Sequence, residues 1–321
     1  MRALRLLLPA AALFALLVVT VGAYTRLKDA GLGCPDWPGC YGQLVGVPEL
    51  DAAGTPIDLE KAWIEVAHRY VAGALGLLIF ALAVIAWRTP AARRLRWPAA
   101  ALVALLVFQA GLGALTVTEL LQPAIVTAHL LGGLAIFGLL VVLATQALEL
   151  RTAPPAKLGR PAAAAALALL VMQIALGGWV STNYAGLACG AQWPACGAPG
   201  ALEFDASGFA PGRELGRDSA GAPLTQRALM SIQWAHRLGS YLVAAALAAL
   251  ALLLWRDNRI AAATLLALLL LQFGIGVYIV MKALPLAASL FHNTGAALLV
   301  AWFAAYLPAA GAAARAAREK T

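Results

Sequence analysis

A chain of 321 residues that is 62% hydrophobic and 12% charged, with a mean hydropathy of +0.82, is too apolar for a water-soluble domain and reads as an all-α integral membrane protein. Its net charge of +8 is not gathered into a basic patch interleaved with aromatic residues. No nucleic acid is expected as a partner, and the charge is read as a topology signal with a weak attraction for anionic membrane lipid.

Mainly apolar runs long enough to cross about 30 Å of hydrocarbon fall at 6–26, 64–87, 97–118, 122–147, 161–182, 229–255, 259–281 and 283–307. Eight transmembrane helices are therefore expected. The first follows Arg2 and Arg5 in the manner of a signal peptide, but it is longer than a typical signal core, and its counterpart at 161–182 is internal. Lys and Arg resist translocation and so mark the cytoplasmic side. The termini and the connections after the second, fourth and sixth runs hold fourteen of the 23 basic residues, among them Arg93, Arg94, Arg151, Lys157 and Lys320, against the acids Glu149, Asp257 and Glu319. Both termini are expected in the cytoplasm. Arg outnumbers Lys and Ala is abundant, the compositional habit of a GC-rich bacterial genome, so the membrane is expected to be a bacterial inner membrane.

Two outer connections are long, about 27–63 and 183–228, and two are nearly absent, 119–121 and at 282. Each long loop carries one cysteine pair, Cys34 with Cys40 and Cys189 with Cys196. On the oxidising periplasmic side a local disulfide within each pair is the leading reading. Unpaired thiols are the alternative, and zinc is disfavoured because no loop histidine completes a site.

The loops resemble each other, and so do the helices. Ala30-Gly31-Leu32-Gly33-Cys34 returns as Ala185-Gly186-Leu187-Ala188-Cys189, Ala67-His68-Arg69 as Ala235-His236-Arg237, and Gln109 with Gly111 and Gly113 as Gln272 with Gly274 and Gly276. The chain reads as two tandem, pseudo-symmetric four-helix bundles, 1–150 and 151–321, related by an axis along the membrane normal. The echoed glycines, with Gly177 and Gly178, are read as close-packing positions. Gln109, Gln173 and Gln272 are read as interhelical hydrogen-bond donors ahead of substrate contacts.

All four histidines lie inside apolar runs, where polar side chains are expensive. His68 and His129 fall at similar depth on helices of the same direction, as do His236 and His292. Two imidazoles facing across a helical bundle suit a bis-histidine haem; hydrogen-bonded packing is the bland alternative for each taken singly. Arg69 and Arg237 follow a histidine directly and are read either as partners of haem propionates or as snorkelling interfacial anchors. The halves differ at one informative place. Glu65 stands three residues before His68, one helical turn away on the same face, where Gln233 precedes His236. A carboxylate there can move protons or stabilise a cation, which an amide cannot; its alternative role is to favour the helix dipole.

With Thr25-Arg26, Gly31-Leu32-x-Cys34-Pro35-Asp36-Trp37-Pro38-x-Cys40, Glu65-x-x-His68-Arg69 and the later histidines in view, the chain resembles, over nearly its whole length, the haem A synthase family. These are membrane enzymes that convert haem O to haem A for terminal oxidases. The resemblance implies that His68 and His129 hold the substrate haem with Glu65 as the catalytic acidic residue, and that His236 and His292 hold a permanent haem b. It implies oxidation of one ring methyl to hydroxymethyl and then, through the hydrate, to an aldehyde. Haem O synthase, cytochrome oxidase assembly factors and an electron-transfer protein are the partners it suggests. Some members lack cysteine pairs, whereas this chain has one in each half, the second with an extra residue between its cysteines; a structural staple fits both. No nicotinamide or flavin fingerprint is present. Two rival readings are a di-haem cytochrome b, which gives no reason for the difference between positions 65 and 233, and a transporter, which asks for ionisable groups at the midplane.

Overall fold

A computed structural model of the chain describes residues 1–150, 159–196 and 203–318. Arg151, Lys157 and Lys320, used above for topology, lie outside them. Among the described residues the long elements are all α-helices: α1 (Arg2–Leu27), α2 (Leu59–Arg88), α3 (Arg96–Thr118), α4 (Pro123–Ala147), α5 (Gly159–Thr182), α6 (Gln226–Leu254), α7 (Arg259–Met281) and α8 (Leu286–Arg318). All eight contain a stretch long and apolar enough to cross a membrane. A 3₁₀ turn, Pro90–Leu95, joins α2 to α3.

Several helices start before their apolar run. The Asp58 carboxylate accepts from the Lys61 N–H at the start of α2, the Thr225 hydroxyl from the Ala228 N–H at the start of α6, and the Asn258 amide oxygen from the Ala261 N–H at the start of α7. Such caps satisfy orphan amides and let a polar first turn form outside the hydrocarbon. Hydropathy therefore placed the α2 and α6 starts a few residues late, at 64 and 229 instead of Leu59 and Gln226. The two tight connections share a backbone device. Leu120 and Leu121 before α4, and Ala283 and Leu284 before α8, are consecutive residues in the left-handed region, with φ of 48° and 59°, and of 56° and 62°.

The first four helices close as a ring, α1 against α2 and α4, and α3 against α2 and α4. The last four do the same, α5 against α6 and α8, and α7 against α6 and α8. The rings meet where α4 touches α5 and α8, and where α1 touches α8. Small residues permit this approach: a Cβ at Gly178 would come 2.9 Å from Leu130 across the α4–α5 contact. Thr20 and Thr294 lie 3.3 Å apart, oxygen to oxygen, between α1 and α8. Leu6, Leu13, Leu77 and Leu270 are exposed on the outside, as lipid-facing residues are.

A buried apolar core lies at one end of the helices. Leu4, Leu8, Ile79, Leu102, Leu140 and Leu143 are buried together there in the first ring, with Leu250, Leu254, Leu265 and Phe303 in the second. Arg5 donates to the Ala147 carbonyl at 3.1 Å and meets Glu149 at 3.2 Å, closing the α1–α4 seam at that end. The histidines and the long loops belong to the other end. Disulfides join Cys34 to Cys40 and Cys189 to Cys196, and all four sulfurs are buried against the bundle. In the second loop the buried Arg213 side chain donates to Asn183 and to the Gly208 carbonyl at 2.8 Å. Burial holds its pKa below the ordinary arginine value.

Candidate functional site

Each histidine projects from an even-numbered helix against a glycine of the helix before it. A Cβ at Gly22 would lie 2.9 Å from His68 Cε1; the corresponding distances are 3.1 Å from Gly113 to His129, 3.0 Å from Gly177 to His236 and 3.0 Å from Gly276 to His292. An alanine at any of these positions would push the ring. The sequence pointed to Gly113, Gly177 and Gly276 as packing positions, and what they pack against is an imidazole; Gly22 was not marked in the sequence. Gly111 and Gly274, read the same way, have open space where a Cβ would be.

The glutamines bond across helices, as read from the sequence. The Gln109 amide nitrogen donates to the His129 carbonyl at 2.8 Å and sits 3.1 Å from His129 Nδ1; Gln173 repeats this on His236 at 2.9 and 3.0 Å. Gln272 reaches the His292 ring at 3.4 Å.

His236 and His292 open onto a cavity of about 440 Å³. Its walls are largely aliphatic, with Leu170, Ile174, Val243, Leu247 and Leu299, and its outer part is lined by Arg237, Gln233, Trp193 and Arg26. Arg237 is buried at 3% exposure. It donates to the Ala195 carbonyl and lies 5.4 Å from the Trp193 ring centroid, but its Nε and Nη2 are buried without a partner, as is Gln233 Oε1. A buried guanidinium with unmet donors is costly unless an anion completes it. The cavity thus brings two imidazoles and an outer guanidinium to the edge of an apolar interior. Among the described residues no group of three or more His, Cys, Asp or Glu gathers in the way a bare metal ion would need.

The matching position in the first ring is wired differently. Glu65, 5% exposed, places Oε1 2.5 Å from Arg69 Nη2 and accepts the Cys34 N–H on Oε2 at 2.9 Å. Arg69 also donates to the carbonyls of Asp36 at 2.8 Å, Pro38 at 3.3 Å and Gly39. The pair clasps the Cys34–Cys40 ring onto α2, next to the point where Gly33 presses on Lys61 so closely that a Cβ would lie 2.6 Å from its backbone. Arg69 therefore has both terminal nitrogens engaged, by Glu65 and by the loop carbonyls, whereas Arg237 has two nitrogens to spare. The clasp was missed in the sequence. The signal for half of it was there, since Glu65 and Arg69 are four apart on one helix, the spacing of an intrahelical ion pair.

Arg26 is a further residue that the sequence marked only within a motif. It donates to the Ser181 carbonyl at 2.5 Å, lies 4.2 Å from the Tyr184 ring centroid and pairs with Asp29 at 3.8 Å, so α1 and α5 are tied beside the cavity. Tyr184 donates in turn to Asp29.

Fold and site together define a polytopic helical membrane protein that presents paired imidazoles to an apolar interior beneath disulfide-closed loops. The chain matches the COX15-CtaA family, described as cytochrome oxidase assembly protein, over residues 5–304. It is 41% identical over 307 residues to a haem A synthase of Shewanella oneidensis, covering 89% of this chain and 90% of that one, and 29% identical to a haem A synthase of Allorhizobium ampelinum, covering 95% and 90%. The chain belongs to the haem A synthase family. A shorter match, 34% identity over 145 residues, joins 45% of this chain to 29% of a protoheme IX farnesyltransferase of Halobacterium salinarum.

Proposed function

We propose that this protein makes haem A by oxidising one ring methyl of haem O to a formyl group, with haem O held by His68 and His129 in the first ring and a resident haem b held by His236 and His292 in the second. The observation that carries this reading is the 41% identity to a haem A synthase along nearly the full length of both chains. The residues of the second ring fit a haem: imidazoles from α6 and α8 reach one cavity, its walls are aliphatic, and Arg237 keeps two buried donors free for a propionate. When bound, haem b supplies one-electron chemistry.

The chain's own residues position and shield. The glycines leave each imidazole its space, and Gln109 and Gln173 bond the His129 and His236 carbonyls beside their rings. Glu65 supplies a buried carboxylate one turn from His68, suited to accept a proton or to face a cation that develops during methyl oxidation. Its pairing with Arg69 holds that carboxylate in one place and ties it to the loop above. The two rings are read as tandem copies related by an axis along the membrane normal. The left-handed pairs at 120–121 and 283–284, which stand at equivalent places, support this.

The remaining placement follows from charge and from the loops. Both termini face the cytoplasm, and the histidine end with its disulfides faces the periplasm of a bacterial inner membrane. The partial likeness to protoheme IX farnesyltransferases supports a working relation with the farnesyl-transferring step that supplies haem O. Cytochrome oxidase assembly factors and an electron-transfer protein complete the set of partners.

Co-expression with a haem O supplier, followed by extraction of membrane haems, tests the reading. A formyl-bearing haem is expected. If haem O accumulates unchanged while the protein is present at normal level, the chain is a di-haem cytochrome and not this enzyme.

A further inference from the structure

The two rings are closed differently on the side that faces lipid. In the second ring Trp193 from the long loop, Tyr241 from α6 and Phe273 from α7 form an aromatic triad, with ring centroids 5.7, 5.8 and 6.0 Å apart. Trp193 and Phe273 line the cavity onto which His236 and His292 open, and Tyr241 is 43% exposed. The triad therefore runs from the cavity wall to the outside, across the seam between α6 and α7.

The echoed segments put a counterpart of each member in the first ring. Trp193 and Trp37 each stand three residues before the second cysteine of their loop, Tyr241 and Gly73 each five residues after the histidine of α6 or α2, and Phe273 and Ala110 each directly after the glutamine of α7 or α3. Of the three aromatic side chains only that of Trp37 remains. Gly73 and Ala110 are exposed, and a Cβ at Gly73 would meet nothing within 4 Å. One turn closer to the loops, Tyr70 shares the exposed face of α2 with Gly73 and Leu77, and its hydroxyl accepts the Gly46 N–H at 2.9 Å. That bond draws the loop tip down the lipid-facing side of α2, where Leu44 and Val45 are 74% and 80% exposed. Side chains so apolar and so exposed suit hydrocarbon, not water.

We propose that the α2–α3 seam at Gly73 and Ala110 is the lipid-side portal of the first ring and the seat of the farnesyl chain of haem O, and that Trp193, Tyr241 and Phe273 seal the matching seam of the second ring. The inference rests on the haem assignment above. An isoprenoid chain gains little by leaving lipid for an apolar protein interior, because lipid tails are equally apolar. Its cheapest place is a gap through which it stays in the bilayer while the macrocycle sits between the helices. A tail-bearing substrate fits the ring that is open to lipid, and a tail-free haem b the ring that is closed. The seam also adjoins the ligand positions: Gly73 lies five residues beyond His68, and Ala110 three before Gly113, which touches the His129 ring.

The test uses the full chain with its haem b, in lipid nanodiscs. Equilibrium uptake of haem O is compared with that of added haem b, which lacks the farnesyl chain, each counted beyond the resident haem. Filling the seam with Gly73→Tyr and Ala110→Phe together, the residues of the second ring, should weaken haem O binding roughly tenfold or more, the effect of forcing side chains into occupied space. Uptake of added haem b should not change. Gly73→Cys gives a second readout without added bulk, since all four native cysteines are paired. Its alkylation by a lipid-soluble maleimide should be suppressed by haem O and not by added haem b, while Leu270→Cys, exposed on the second ring, should label at the same rate throughout. Haem O binding unchanged by the filled seam, equal losses for the two haems, or position 73 labelled equally fast with and without haem O would overturn the proposal. If the filled variant does not fold, the labelling decides. A chain that takes up no haem O at all overturns the haem assignment, and this proposal with it.

Discussion

Glu65 is where the two rings part, and Glu65→Gln, which copies Gln233, separates its chemical role from its structural one. The structural loss can be worked from the contacts. The amide keeps an oxygen for the Cys34 N–H, and Arg69 keeps its carbonyl partners at Asp36, Pro38 and Gly39. What disappears is the charge in a buried pair at 2.5 Å whose side chains are 14% and 6% exposed. Removing one partner of a buried pair costs about 3–5 kcal/mol when the other charge is stranded. Here the guanidinium is not stranded, so about 1.5–3 kcal/mol is expected, the net worth of one charge-assisted hydrogen bond. A domain stable by about 5–15 kcal/mol survives that. The chemical loss shows in rate instead: a general acid or base typically contributes about a hundredfold or more, equivalent to about 2.7 kcal/mol of barrier. The variant should therefore fold, retain its haem b and bind haem O, yet form haem A at about one hundredth of the normal rate. Haem A per polypeptide is the assay, with thermal inactivation measured on the same preparation. A near-normal haem A yield would remove Glu65 from the chemistry and leave it as the clasp of the first loop.

Three other outcomes are expected. His236→Ala or His292→Ala should lower the haem b bound per purified polypeptide, because one axial imidazole is lost; undiminished haem with an unchanged bis-histidine spectrum would mean that other residues are the ligands. Arg237→Met should weaken haem b binding roughly tenfold through the loss of a charged hydrogen bond while leaving the haem-free protein no less stable, since the guanidinium has two unmet donors without ligand; thermal melting with and without haem separates the two effects. Reporter fusions at the C-terminus and at Gly208 should report opposite sides of the membrane, and a periplasmic C-terminus would break the charge argument for orientation.

The eight spans could be read directly from composition because the bilayer imposes a length of about twenty apolar residues on each, and each run falls on one helix, the last starting three residues before α8. Their ends were less legible. α2 and α6 begin at polar turns secured by Asp58 and Thr225, and capping leaves little trace in hydropathy. The histidines were visible as ionisable groups in apolar sequence, and the echoed segments were visible as similar short strings in the two halves of the chain. Which neighbour each imidazole meets was not visible. Gln173 and His236 are 63 residues apart on different helices, and spacing along the chain does not say which faces two helices turn to each other. Arg69 and Arg237 make the limit plain. Both follow a histidine in the same tripeptide, yet one is engaged by Glu65 and the carbonyls of the first loop and the other faces a cavity with donors to spare. The residue types were set by local sequence. Their different fates depend on how a loop closed by a distant disulfide comes down on the helix end, because hydrogen bonds form only between groups that folding has brought to contact distance.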